Sequence, residues 1–178
     1  LVGYDPALTI CYRDEYTQML GDRRGEFDVK LPEEWLNEQF GTQTFVERFA
    51  KIKDKVEQTS KTDEFKAPYF LFTHCTERAL ITQSPVLWQT LMQHFFINVI
   101  PETVACCGMA GLFGHIAKNH DETYAVYEKN WKGKIKSHDF KHCLITGFSC
   151  RSQVHRMEGK EAVHPLFVLN DLLNKALK

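Results

Sequence analysis

Sulfur-bearing side chains are where this sequence offers chemistry. Six cysteines stand at positions 11, 75, 106, 107, 143 and 150. Two of them are adjacent and open a glycine-rich run, Cys106-Cys107-Gly108-Met109-Ala110-Gly111-Leu112-Phe113-Gly114. Soft thiolates select iron–sulfur clusters or zinc over hard cations, and four thiolates are the usual complement for either. Cys75, Cys106, Cys107 and Cys150 make such a set of candidate metal ligands. Gly108 and Gly111 are candidate cofactor-binding positions, because glycine lets the backbone approach closely and leaves amide N–H groups free to point at sulfur. A lone cysteine is more often a buried space-filler. Cys11, inside a helix pattern, and Cys143, inside a strand pattern, are read that way. For the vicinal pair, spacing alone leaves both readings open. Thiol–disulfide exchange ranks last, since adjacent cysteines close only a strained disulfide and the chain has no Cys-x-x-Cys motif.

Other polar residues carry weaker signals. His74 precedes Cys75 and reads as a donor behind the thiol, an alternate ligand, or more simply a capping or solvent-facing histidine. Arg151, His155 and Arg156 flank Cys150 and suit either a carboxylate or the charge of a cluster, with a solvated basic helix face as the plainer reading. His115, His120, His138, His142 and His164 show no ligand spacing and read as surface residues. Arg13 and Glu15 read as an ion pair within a helix or between domains.

The elements that would position the thiols follow from periodicity. Strands are expected at residues 1–4, 27–31, 69–73, 97–100 and 143–146, by alternation or by short apolar runs. Helices are expected at about 8–20, from Pro32 onward with Trp35, Leu36 and Phe40 inward, and at 44–57, 85–95, 121–135, 149–157 and 165–177. Tyr124, Tyr127 and Trp131 read as core. Residues 44–66 read as a charged helix followed by a polar loop, and Thr103 to Gly114 as a loop opening a helix. Alternating strands and helices imply an α/β fold, layered, with a mostly parallel sheet flanked by helices. In such sheets ligand sites form outside the strands' carboxyl ends. Cys75, Cys106-Cys107 and Cys150 each follow a strand, so all four thiols arrive at strand C-terminal ends. Helices beginning after Cys107 and near Ser149 would aim positive dipole ends at an anionic cluster.

Bulk properties exclude several classes. Apolar residues make up 43% of the 178 and charged residues 25%, with a formal net charge of −1. No basic stripe suggests nucleic acid. No apolar run approaches the roughly 20 residues of a membrane helix, and the first residues lack the basic start and apolar middle of a signal peptide. Cysteines are too sparse for a disulfide scaffold, which points to the cytoplasm, at most peripheral to the inner membrane. The chain lacks an initiator Met and reads as a piece of something longer, one cysteine-rich domain over 1–178.

The run Cys106-Cys107-Gly108-Met109-Ala110-Gly111-Leu112-Phe113-Gly114 resembles the CCG motif of the cysteine-rich domain found in the heterodisulfide reductase B subunit, the glycolate oxidase iron–sulfur subunit and the anaerobic glycerol-3-phosphate dehydrogenase C subunit. Together with His74-Cys75, Asp5-Pro6-Ala7-Leu8-Thr9 and Thr146-Gly147-Phe148-Ser149-Cys150-Arg151-Ser152-Gln153-Val154, it resembles the C-terminal segment of large bacterial FAD-linked oxidases of the D-2-hydroxyglutarate and D-lactate dehydrogenase types. The likeness spans essentially the whole chain. It implies an electron-transfer module, inactive alone, holding or covering an iron–sulfur cluster. It further implies FAD-binding and ferredoxin-like domains of the parent chain as partners, and an electron acceptor that it does not name. The sequence departs from the pattern at Gly147, where relatives carry the first cysteine of a pair, and at Leu8, where some carry another. Those departures keep an alternative open, a structural zinc-binding or docking domain of the same enzyme.

Overall fold

A computed structural model describes residues 1–178. Three strands form a parallel sheet in the order β2–β1–β3: β1 (Tyr69–Phe72), β2 (Val99–Pro101) and β3 (Cys143–Ile145). Tyr69 pairs with Val99 on one side of β1, and Phe70 with Cys143 on the other. The strands are short apolar runs because helices cover both faces of the sheet.

Alternation along the strands divides the core in two. Tyr69, Leu71, Val99 and Leu144 face one layer, where they meet Trp88, Leu91 and Met92 of α7 (Ser84–His94) and Leu169 and Leu172 of α11 (Pro165–Ala176). Val56 of α5 (Lys53–Ser60) joins them, with Phe40 of α3 (Pro32–Phe40) and Phe49 of α4 (Gln43–Ala50) packed outside. Phe72, Cys143 and Ile145 face the other layer. There Tyr127 of α8 (His120–Tyr127), Ile135 of α9 (Gly133–Lys136) and Val154 of α10 (Phe148–Glu158) close over them. A π-helical turn, Glu128–Lys132, joins α8 to α9 and carries Trp131 into the same layer. The fold is therefore the layered parallel α/β arrangement that the sequence implies.

The amino-terminal region lies outside this sheet. It consists of α1 (Pro6–Arg13) and α2 (Glu15–Leu20), broken at Asp14, followed by a short 3-10 turn. The expected strands at 1–4 and 27–31 reduce to one parallel bridge, Val2 to Lys30. Asp5 caps α1 through the Leu8 amide at 3.1 Å, and its second oxygen accepts the Phe148 amide of α10 at 2.8 Å, so one carboxylate ties two helix starts together. Arg13 pairs with Glu34 of α3, which makes it a link between helices; the ion pair expected with Glu15 within the helix does not form.

Other expectations need correction. The helix expected over 44–57 is two, α4 and α5, and α5 extends into the stretch read as loop. Trp35 is half-exposed instead of inward, and Tyr124 is exposed although Tyr127 and Trp131 are buried. His138 and His164 are not surface residues. His138 stacks on Phe70 at 3.5 Å and meets Glu102 at 2.9 Å, and His164 is 1% exposed.

Candidate functional site

Each thiol sits where a strand ends. Cys75 is the first residue of α6 (Cys75–Leu80), three residues beyond Phe72 at the end of β1. Cys106 and Cys107 lie in the loop after β2, and Cys150 in the first turn of α10, after β3. Because all three strands are parallel, their carboxyl ends share one edge, and the sulfurs meet there. The Cys106 thiol lies against those of Cys75 and Cys107, and Cys107 in turn against Cys150. Cys75 and Cys106 are half-buried, whereas Cys107 and Cys150 are buried in the core layer of Tyr127 and Trp131. Cys11 and Cys143 stand apart. Cys143 points into the core, donates to the Asp139 carbonyl at 3.8 Å, and is pushed up to about 11 by burial.

The thiols do not share protons equally. Cys106 is drawn well below the ordinary thiol range by the neighbouring Cys107 and Cys75 thiols, with help from the Gly108 amide, which donates to its sulfur at 3.3 Å. Cys75 and Cys107 are driven far upward, chiefly by their contact with Cys106 and by burial. Cys106 is thus the thiol of the set most disposed to ionise, with the Gly108 N–H directed at its sulfur. No three His, Cys, Asp or Glu side chains of the chain stand in the geometry of a single-ion metal site.

Backbone shape explains the glycines. Gly108 adopts φ +92°, and a Cβ there would lie 2.6 Å from the Thr123 carbonyl, so both conformation and space demand glycine. Gly111 also has positive φ but faces open space, so only its conformation is constrained. The helix expected to open after Cys107 is absent; Ala110 and Gly111 both take positive φ, and no α-helix starts before His120. The loop is held from outside. The Asn130 side chain donates to the Cys106 carbonyl at 3.1 Å and the Trp131 indole N–H to the Ala105 carbonyl at 2.8 Å.

A buried hydrogen-bond clasp joins the ends of β1 and β3. The His74 amide donates to Thr146 Oγ1 at 3.0 Å and to Glu77 Oε2 at 3.2 Å, and the Thr146 hydroxyl donates to Glu77 Oε2 at 2.5 Å. The His74 ring caps α6 by accepting the Thr76 amide at Nδ1, and its Nε2 meets the Ser149 hydroxyl at 3.2 Å. Gly147, where a cysteine stands in the related pattern, is filled instead by this ring: a Cβ would come 2.5 Å from His74 Cδ2. Glu77 shares the Ser84 hydroxyl with Glu33 of α3, which is 1% exposed. Sequence reasoning missed both acids. Glu33 reads as an ordinary first-turn carboxylate. Glu77 stands three residues after a helix-capping position occupied by histidine, a residue outside the usual capping set.

Fold and site define a class: a parallel α/β domain that collects thiols from three strand ends on one edge. The comparisons narrow it. Over 173 residues, 97% of this chain, it is 39% identical to a D-2-hydroxyglutarate dehydrogenase of Haemophilus influenzae, 40% identical to one of Pantoea ananatis and 39% identical to one of Escherichia coli. The chain is thus related along nearly its whole length to one segment of these dehydrogenases, and it spans only 15–16% of their length. No family model and no solved structure matches it.

Proposed function

We propose that this chain is the cysteine-rich module of an FAD-linked D-2-hydroxyglutarate dehydrogenase, with Cys75, Cys106, Cys107 and Cys150 as ligands of an iron–sulfur cluster. The observation that supports it is the gathering of four sulfurs, 75 residues apart in sequence from first to last, at one edge of a parallel sheet. The donor set fits such a group in its chemistry: soft sulfur, a backbone N–H already directed at Cys106, and a side left half-open at Cys75 and Cys106. When bound, the cluster would supply one-electron transport away from a flavin held by the FAD-binding part of the enzyme. The residues of this chain ligate, bury one flank of the site with Tyr127 and Trp131, and fix the loop through Asn130 and the clasp around His74. Loading would release protons from the ligating thiols, since only thiolates ligate. The cytoplasm is the compartment in which reduced thiols of this kind persist. No helix of the chain is long and apolar enough to cross a membrane.

Anaerobic reconstitution with iron and sulfide tests the reading. The chain should take up both and acquire broad visible absorption, and Cys106→Ser should lose it. A chain that takes up neither refutes ligation. A second reading is favoured by the burial of Cys107 and Cys150 in an apolar cluster, as packing cysteines would be. In that case the module is a structural or docking domain whose thiols only pack, and metal analysis finds neither iron nor sulfide; the zinc-binding form of this alternative has no support in the side-chain geometry.

A further inference from the structure

On the outer side of α10 lies a cleft of about 650 Å³ that the thiol site does not use. Its walls are Tyr4, Phe148 and Phe167, its floor His164, and its single cation with a fixed charge is Arg151. Phe148 and Phe167 stand 65% and 61% exposed, an unusual display for large apolar side chains of one recess. Arg151 is held at one end only. Its Nη1 donates to the Ile145 and Thr146 carbonyls at 2.9 and 2.7 Å, while Nε and Nη2 have no partner in the chain. The one acid of the cleft, Glu161, lies 2.9 Å from His155 Nδ1 through Oε1 and makes no ion pair with Arg151. The guanidinium carbon sits 5.4 Å from the Tyr4 ring and 5.9 Å from that of Phe148, so the cation is already set among aromatic faces. His164 is buried, accepts the Leu166 amide at Nδ1, and leaves Nε2 without a partner. Burial and the neighbouring Arg151 lower it to about 3, which keeps the floor neutral.

We propose that this cleft binds a small organic carboxylate with a flat or apolar body, its two oxygens on the Nε–Nη2 edge of Arg151 and its body between Tyr4, Phe148 and Phe167. The free edge of a guanidinium matches the two oxygens of a carboxylate. One fixed cation among three rings suits a monoanion with an apolar body better than a compact, strongly hydrated phosphate. The thiols play no part in this site, and it stands whether or not they hold a cluster.

The test is a titration of the chain with phenylacetate, followed by NMR at the Arg151 Nε–H and the Tyr4 ring, with inorganic phosphate in parallel. Saturable shifts with phenylacetate are expected, tighter than any with phosphate. Arg151→Gln should weaken binding by roughly ten- to a hundredfold, the worth of hydrogen bonds to a charged group. Since Arg151 also anchors strand carbonyls, Phe148→Ser is the second variant; it should weaken phenylacetate roughly two- to fivefold and leave phosphate unchanged. The proposal is overturned if phenylacetate gives no saturable shift, if phosphate binds more tightly, or if Phe148→Ser binds phenylacetate as the parent chain does.

Discussion

Replacing Glu33 by glutamine should make the folded chain more stable in mild alkali while changing little in acid. Glu33 Oε1 stands 2.6 Å from Ser84 Oγ, and the same hydroxyl meets Glu77 Oε1. A serine carries one proton. If it donates to one carboxylate it must accept from the other, so one acid of the pair stays protonated. Burial raises Glu77 as well, but its bonds from the His74 amide and the Thr146 hydroxyl pull it back toward the charged form, which places the shared proton on Glu33. Burial first, and the Glu77 charge second, raise Glu33 from 4.5 to about 8. A carboxyl whose folded pKa lies above its unfolded value contributes full stability below the unfolded value. It loses that contribution as pH climbs through the folded one. Stability should therefore fall between pH 4.5 and about 8, by up to about 5 kcal/mol if the whole shift is expressed. Glutamine keeps the neutral shape and donates to Ser84 at every pH, so Glu33→Gln should flatten that slope. His164, lowered to about 3 by burial and Arg151, acts in the opposite sense: its contribution is present above 6.5 and lost as pH falls. The diagnostic quantity is thus the difference between the two proteins, read as urea midpoints across the window. If both lose stability in parallel as pH rises, Glu33 does not hold the proton and the reasoning fails.

Gly147→Ala should lower the thermal midpoint, at a cost of about 1–3 kcal/mol, because its methyl would meet the His74 ring 2.5 Å away with no room to retreat. Trp131→Phe removes the indole donor to the Ala105 carbonyl and, at a fully buried site, part of the ring volume; at least about 1–3 kcal/mol should be lost in chemical denaturation, and the Cys106 thiol should react faster with a small alkylating reagent. Cys143→Ala, at a buried thiol outside the cluster, should cost about 1 kcal/mol yet leave iron and sulfide uptake unchanged, in contrast to Cys106→Ser. Equal loss of uptake in both would assign the sulfur chemistry to the wrong residues.

The sheet was legible in the sequence because β1 and β3 are covered on both faces and so read as unbroken apolar runs; parallel strands then carried Cys75, Cys106, Cys107 and Cys150 to a common edge. Regions without a neighbouring sheet were not legible in the same way. Leu1 to Tyr4 and Phe27 to Leu31 have strand-like patterns, but a single bridge at Val2 and Lys30 is all that forms, since alternation cannot say whether a partner exists. The loop after Cys107 carries enough glycine to suggest a helix start, yet positive φ at Ala110 and Gly111 turns it away. Buried polar residues were hidden for a different reason. Glu33, Glu77 and His164 are polar types whose usual place is outside, and only the three-dimensional neighbours Ser84, Thr146 and Trp88 make their burial tolerable, whereas the capping role of His74 was among the readings its sequence position allowed.

The π turn at Glu128–Lys132 has a consequence for how the chain tolerates length changes. In a regular α-helix, consecutive residues project about 100° apart; the wider turn lets Asn130 and Trp131, neighbours in sequence, both grip the same stretch of loop before Cys107. Deleting one residue there would restore ordinary helical phase and swing Ile135 out of its layer or one of the two grips off its carbonyl. The helix spanning 120–136 is therefore a gauge: its count of residues, as much as their identity, sets where the vicinal cysteines stand.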